Sequence, residues 1–245
     1  MIIDFCTTVG QGITEYFRPE DLLDEMNQNQ VDMAVIAPAD QYLAVYNQEG
    51  NDYIAEMVRK YPHKFIGFGC VSPWYGEKAV DEVYRIKSLG LKGIKMEPFI
   101  QGFMLSDRIT DGILTACEET ALPVLVATGT PISSMPLQLR ELALRFPKVN
   151  FIMGHMGFSD FWYDVSIAAE NLDNMYMELS YQMPSVIIEA IARCGRDKVL
   201  FGSDWPFSRE KIEMAKVGLT EDEEDKKHIL GENAMHILNI TEEKR

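Results

Sequence analysis

The pentapeptide Gly93-Ile94-Lys95-Met96-Glu97 carries two charges within a short apolar run, and successive residues of a strand point to opposite faces. With Ile94 and Met96 turned toward covering helices, Lys95 and Glu97 turn together into the interior. Opposite charges on one inner face either form a core-filling ion pair or serve chemistry on a substrate, and both readings stand at this point. Cys6, Cys70, Cys117 and Cys194 are widely separated, lack CxxC spacing and sit among apolar or small residues. Buried free thiols have such surroundings, so no disulfide is expected.

The elements that must position these side chains alternate from end to end. Eight short apolar runs, residues 2–5, 33–37, 65–71, 93–97, 123–127, 149–154, 175–179 and 198–202, read as strands. Amphipathic segments at 20–29, 52–61, 77–89, 111–120, 137–146, 160–171 and 185–193 read as helices between them. Pro19, Pro136 and Pro184 stand where a ring-fixed φ opens a helix, and Gly90 and Gly195 where helices stop. The acidic stretch 221–225 with Lys226, Lys227 and His228 reads as the solvated face of a short helix, followed by a closing helix at 232–238. Alternating β and α units feed a parallel sheet, and 245 residues suit a single-domain (β/α)₈ TIM barrel spanning 1–245.

Composition narrows the partners. The 23 Lys+Arg against 38 Asp+Glu leave a formal charge of −15, which repels phosphate backbones and anionic lipid, so neither nucleic acid nor a membrane surface is an expected partner. The start Met1-Ile2-Ile3-Asp4-Phe5 shows neither a basic region nor a long apolar run, and no stretch reaches the about 18 apolar residues of a membrane span. A soluble cytoplasmic protein acting on a small molecule is expected.

Seven segments then carry a resemblance in order: MIIDFCTTVG (1–10), KFIGFGCVSP (64–73), LKGIKMEP (91–98), LPVLVATGTP (122–131), FIMGHMG (151–157), VLFGSDWP (199–206) and GENAMHILNI (231–240). Together they span nearly the whole chain, and it resembles the amidohydrolase-related family, which includes aminocarboxymuconate-semialdehyde decarboxylase, resorcylate-type decarboxylases and metal-dependent hydrolases. The resemblance implies a His-x-His metal pair at Cys6 and Thr8, a metal-binding histidine at Ala127, a catalytic histidine at His155 and a metal-binding aspartate at Asp204. Three of the four metal positions, Cys6, Thr8 and Ala127, therefore hold other residues.

Catalytic zinc takes three protein ligands before water fills the open position, so this departure implies that no resident cofactor is needed. The alternative is one divalent transition metal such as zinc at a rebuilt site of Cys6, Asp204, His155 and Glu97, or with Lys95 after carbamylation. His155 as acid and Asp204 as base remain the expected catalytic pair. Cys6 is either a nucleophile or, with Thr8, a remnant filling vacated space. Substrate contacts are expected from Lys95, Glu97, Trp74, Trp205 and Thr128, within a rim that also holds Tyr42, Tyr75, Phe99, Phe103, Phe158, Trp162, Tyr181 and Phe207. Few arginines occur in these loops, which favours a neutral or singly charged ligand held by Lys95. The leading expectation is a metal-independent hydrolase or lyase acting on a small carbonyl, lactone or aromatic carboxylate by hydrolysis, isomerisation or decarboxylation. The competing ones are a non-catalytic ligand-binding or companion subunit and a single-metal hydrolase. A homodimer is expected from the resemblance and an apolar helix surface.

Overall fold

Residues 1–241 are described by the structure, a computed structural model. Strands β1 (Ile3–Gln11), β3 (Met33–Pro38), β4 (Phe65–Cys70), β5 (Gly93–Met96), β6 (Val124–Ala127), β7 (Phe151–Gly154), β8 (Met175–Glu178) and β9 (Val199–Leu200) pair in parallel in that order. β2 (Tyr16–Phe17) adds an antiparallel partner to the outer end of β1. The barrel closes where the chain after β9 meets β1, through Phe5 N–H to Phe201 O at 2.9 Å, Asp204 N–H to Cys6 O at 2.8 Å and Thr8 N–H to Trp205 O at 2.9 Å. Eight parallel strands with helical crossovers are the (β/α)₈ barrel expected from the alternation.

Strand parity divides the apolar residues into two layers. Ala34, Ile36, Ile94, Met96, Val124, Val126, Met153, Met175 and Met177 face the helices in one large cluster. Val35, Ala37, Ile66, Phe68, Leu125, Ile152, Tyr176 and Leu200 fill the barrel interior. Ala234, Ile237 and Leu238 of the helix Asn233–Leu238 join this inner cluster, so the closing helix plugs the barrel. At Gly93 the inner position holds no side chain because a Cβ there would run into the Phe68 ring.

β1 departs from simple alternation. Its register against β3 shifts between Asp4 and Thr7, leaving one extra residue on β1, a bulge. Phe5 and Cys6 consequently both belong to the inner cluster, and Thr8 reaches inward as well.

Helix boundaries agree closely for Pro19–Asn29, Glu77–Ser88, Asp111–Thr120, Pro136–Arg145 and Pro184–Cys194. The helix expected at 160–171 is shorter, a 3₁₀ turn Trp162–Asp164 followed by Val165–Ala169. The Arg140 guanidinium caps its end by donating to the carbonyls of Ile167, Ala168 and Glu170 at 3.3, 2.9 and 3.0 Å. That interaction supplies partners for carbonyls that another helical turn would otherwise bond. The helix expected from residue 52 begins earlier, in Asn47–Lys60, and the last crossover helix is Glu210–Val217.

Candidate active site

The carboxyl ends of the strands enclose a cavity of about 380 Å³ whose polar wall includes Glu97, Thr128, Thr130, His155, Tyr181 and Asp204. Phe99, Phe158 and Phe207 form much of its apolar wall, with Ala127 and Gly129 beside them. His155, Phe158, Tyr181 and Asp204 have φ of 62°, 50°, 65° and 53°. Left-handed backbone at four non-glycine residues around one cavity is strain held in place by surrounding contacts.

At the seam, the Cys6 thiol donates to Asp204 Oδ1 at 3.6 Å. Cys6, His155 and Asp204 each offer a donor atom, and these atoms lie within 4.8 Å of one another. Burial pushes the Cys6 thiol well above its ordinary range, with Glu178 and Asp204 adding to the shift. A thiol so placed is a poor nucleophile unless something removes its proton. Burial raises the Tyr181 phenol above its ordinary range, and the Asp204 carboxylate adds to the shift.

Lys95 lies beside this group, 2% exposed. Its ammonium pairs with Glu97 at 2.6 Å and donates to Thr8 Oγ1 at 3.1 Å. Burial opposes its charge, yet Glu97, Cys6 and Asp204 outweigh burial and raise its pKa. The two inward charges thus pair with each other. Lys95, expected to hold the substrate, is set behind the cavity wall, and its partner Glu97 reaches that wall.

The other expected contacts divide. Thr128 lines the cavity, but its hydroxyl is used by Gly154 O at 2.7 Å and Gly157 N–H at 3.0 Å. Trp74 is 62% exposed, donates to Gln101 O at 2.8 Å and lines a separate shallow groove, so it stands outside the cavity. Trp205 is buried in the outer layer, and its indole N–H has no partner there. The ring packs behind the seam because its backbone pairs with β1.

Sequence reasoning missed two buried carboxylates, Glu178 and Asp4, and the donors they gather. Glu178, fully buried, accepts His155 N–H at 3.0 Å, Ser180 N–H at 2.7 Å and the Ser180 hydroxyl at 2.9 Å. Burial raises its pKa while His155 and these amides pull it down, the net being upward. His155 Nδ1 sits 2.7 Å from Ser180 Oγ. Asp4, pushed up to about 7 by burial against its hydrogen bonds to Ser203, accepts from Ser203 N–H at 2.9 Å and Cys6 N–H at 3.1 Å. The parity used for Lys95 would have found Glu178, since Met175 and Met177 point outward and leave Tyr176 and Glu178 inward.

A parallel barrel with its ionisable cluster at the carboxyl-end rim is the architecture of the (β/α)₈ enzymes, whose sites are built from βα loops. Within that class the chain belongs to the Amidohydrolase family, whose model matches residues 13–240. It is 25% identical over 281 aligned positions to a gamma-resorcylate decarboxylase of Polaromonas sp., covering 89% of this chain and 86% of that protein. It is 28% identical over 118 residues to a 2-amino-3-carboxymuconate-6-semialdehyde decarboxylase of Dictyostelium discoideum, a stretch covering 44% of this chain and 33% of that protein. Among solved structures, 5-carboxyvanillate decarboxylase from Novosphingobium aromaticivorans, with bound manganese and a methoxy-hydroxy-nitrobenzoic acid, superposes with a TM-score of 0.80 at 17% identity, covering 97% of each chain.

Proposed function

We propose that this protein is a lyase of the decarboxylase type acting on a small hydroxylated aromatic carboxylate, with His155 and Asp204 as its proton-transfer pair. The observation that carries this is the placement of His155 and Asp204 side by side in a cavity walled by Phe99, Phe158, Tyr181 and Phe207. The chemistry of the named relatives supports it. Asp204 accepts the hydrogen bond of a ring hydroxyl and drives electron density into the ring. Protonated His155 delivers its proton to the carbon bearing the carboxylate. The carbon–carbon bond then breaks, its electron pair returns to the ring, carbon dioxide leaves, and the product keeps the proton. Positioned acid–base groups of this kind supply about 10²–10⁴-fold in rate.

The test is a panel of hydroxybenzoates followed by NMR for loss of the carboxyl carbon. On the converted compound, Asp204→Asn is expected to lower turnover by about 10²-fold or more with the fold kept. Retention of full activity in that variant would overturn the assignment. No conversion by the parent of any panel member would favour a ligand-binding subunit.

A second reading is favoured by the cavity wall, in which no lysine or arginine stands among the described residues to meet a substrate carboxylate. The donors of Cys6, His155 and Asp204 form a sulfur, nitrogen and oxygen set that fits zinc, whereas Thr8 is engaged by Lys95 and Ala127 has no donor. Those three residues would hold a divalent cation, which when bound supplies Lewis-acid polarisation of a substrate oxygen. Cys6→Ala separates the readings: activity stays within a few-fold if the pair suffices, and metal content and activity fall together if a cation is held.

A further inference from the structure

We infer that Ser180 and Glu178 form a directional hydrogen-bond relay that holds neutral His155 as its Nδ1–H tautomer, leaving the lone pair on Nε2. Donor counting sets the direction. The backbone N–H groups of His155 and Ser180 can only donate, and they occupy Glu178 Oε2 at 3.0 Å and Oε1 at 2.7 Å. Both oxygens of Glu178 act as acceptors, and the ionised carboxylate has no proton of its own to donate. Ser180 has a single hydroxyl proton, and it points to Glu178 Oε2 at 2.9 Å. Only a lone pair of Ser180 Oγ is left for His155 Nδ1, 2.7 Å away, so the proton of that contact belongs to the imidazole.

The geometry leaves little room for another arrangement. His155 Nδ1 lies 3.6 Å from Glu178 Oε2, too far for a direct bond, so the serine is the necessary link. A side chain at residue 202 would collide with the Glu178 carboxylate, and glycine there lets the carboxylate keep its place. Phe158 and Tyr181 flank the imidazole with ring centroids 6.4 and 5.7 Å away. Ser180 and Glu178 are thus positioning residues. Through the tautomer they decide which nitrogen carries the proton in the neutral ring.

The inference rests on His155 being the proton-transfer group, but its test needs no substrate. Protein labelled with ¹⁵N-histidine has four imidazoles, His63, His155, His228 and His236, and His155→Gln identifies the signals of His155. At a pH where His155 is neutral, two-bond proton–nitrogen correlations are expected to show a pyrrole-type Nδ1 and a pyridine-type Nε2. Ser180→Ala should shift both nitrogens toward the averaged values of mixed tautomers, and Ser180→Thr should restore the parent pattern. An Nε2–H tautomer in the parent protein, as a reversed chain from a protonated Glu178 would impose, overturns the inference. So does an unchanged His155 spectrum in Ser180→Ala. The parent spectrum decides even if a variant fails to fold, and full turnover in His155→Gln would sink the catalytic assignment while leaving the relay standing.

Discussion

Lys95 stands beside the ionisable cluster without lining the cavity. Its ammonium is enclosed, and Glu97 and Thr8 meet two of its three protons. Removing one partner of a buried pair leaves an uncompensated charge, at a cost of about 3–5 kcal/mol. Lys95→Met is therefore expected to destabilise the protein by about 3 kcal/mol, near the lower end because Glu97 keeps some contact with solvent. Urea unfolding measures it. The double change Lys95→Met with Glu97→Gln should recover much of the loss, since the stranded carboxylate is then gone; no recovery would show that packing of the lysine stem dominates.

The segments that carry the chemistry are tied together by buried acids. Asp4 on β1 accepts from the backbone of Cys6 and from Ser203, which precedes Asp204. Asp4→Ala strands those donors, each worth about 1–3 kcal/mol when buried without a partner, so a loss of about 3 kcal/mol in unfolding free energy is expected by chemical denaturation. At the start of the helix Glu210–Val217, Glu210 is fully buried with one oxygen unpartnered. Burial, with Asp4 adding to it, raises its pKa from 4.5 to about 8. The folded state thus holds the proton that the unfolded chain releases. Stability from this group is fully present below pH 4.5 and is lost as pH rises through about 8. Melting temperature should fall across that window, and Glu210→Gln should flatten the fall; an unchanged slope would place the dependence elsewhere.

For the whole molecule, the cation question reduces to mass action. A native state that binds a metal gains stability with metal concentration, and a chelator removes the gain. With His155 and Asp204 sufficient by themselves, the melting temperature is expected to be the same with and without chelator. A drop in the parent that is absent from Cys6→Ala would instead support a bound cation, and elemental analysis of protein purified without chelator would give its identity. Among the described residues no helix is long and apolar enough to cross a membrane.

Period and punctuation in the sequence were enough to establish the alternation of strands and helices, because side-chain direction in each element depends on local backbone geometry. The same parity turned Lys95 and Glu97 inward, and the GHMG and GSDWP segments brought His155 and Asp204 to strand ends. Tertiary structure decided the rest. The bulge in β1 that turns both Phe5 and Cys6 inward depends on register against β3. Whether Lys95 meets a substrate or Glu97 depends on which neighbour lies nearest its ammonium. Trp74 and Trp205 sit after strands that do converge on the rim, yet one ring faces solvent and the other the helices. The partners of His155 lie on the neighbouring strand β8 and the loop after it, 23 and 25 residues further along the chain. Contacts of that kind arise only when the sheet closes, since no local propensity specifies which side chains meet across it.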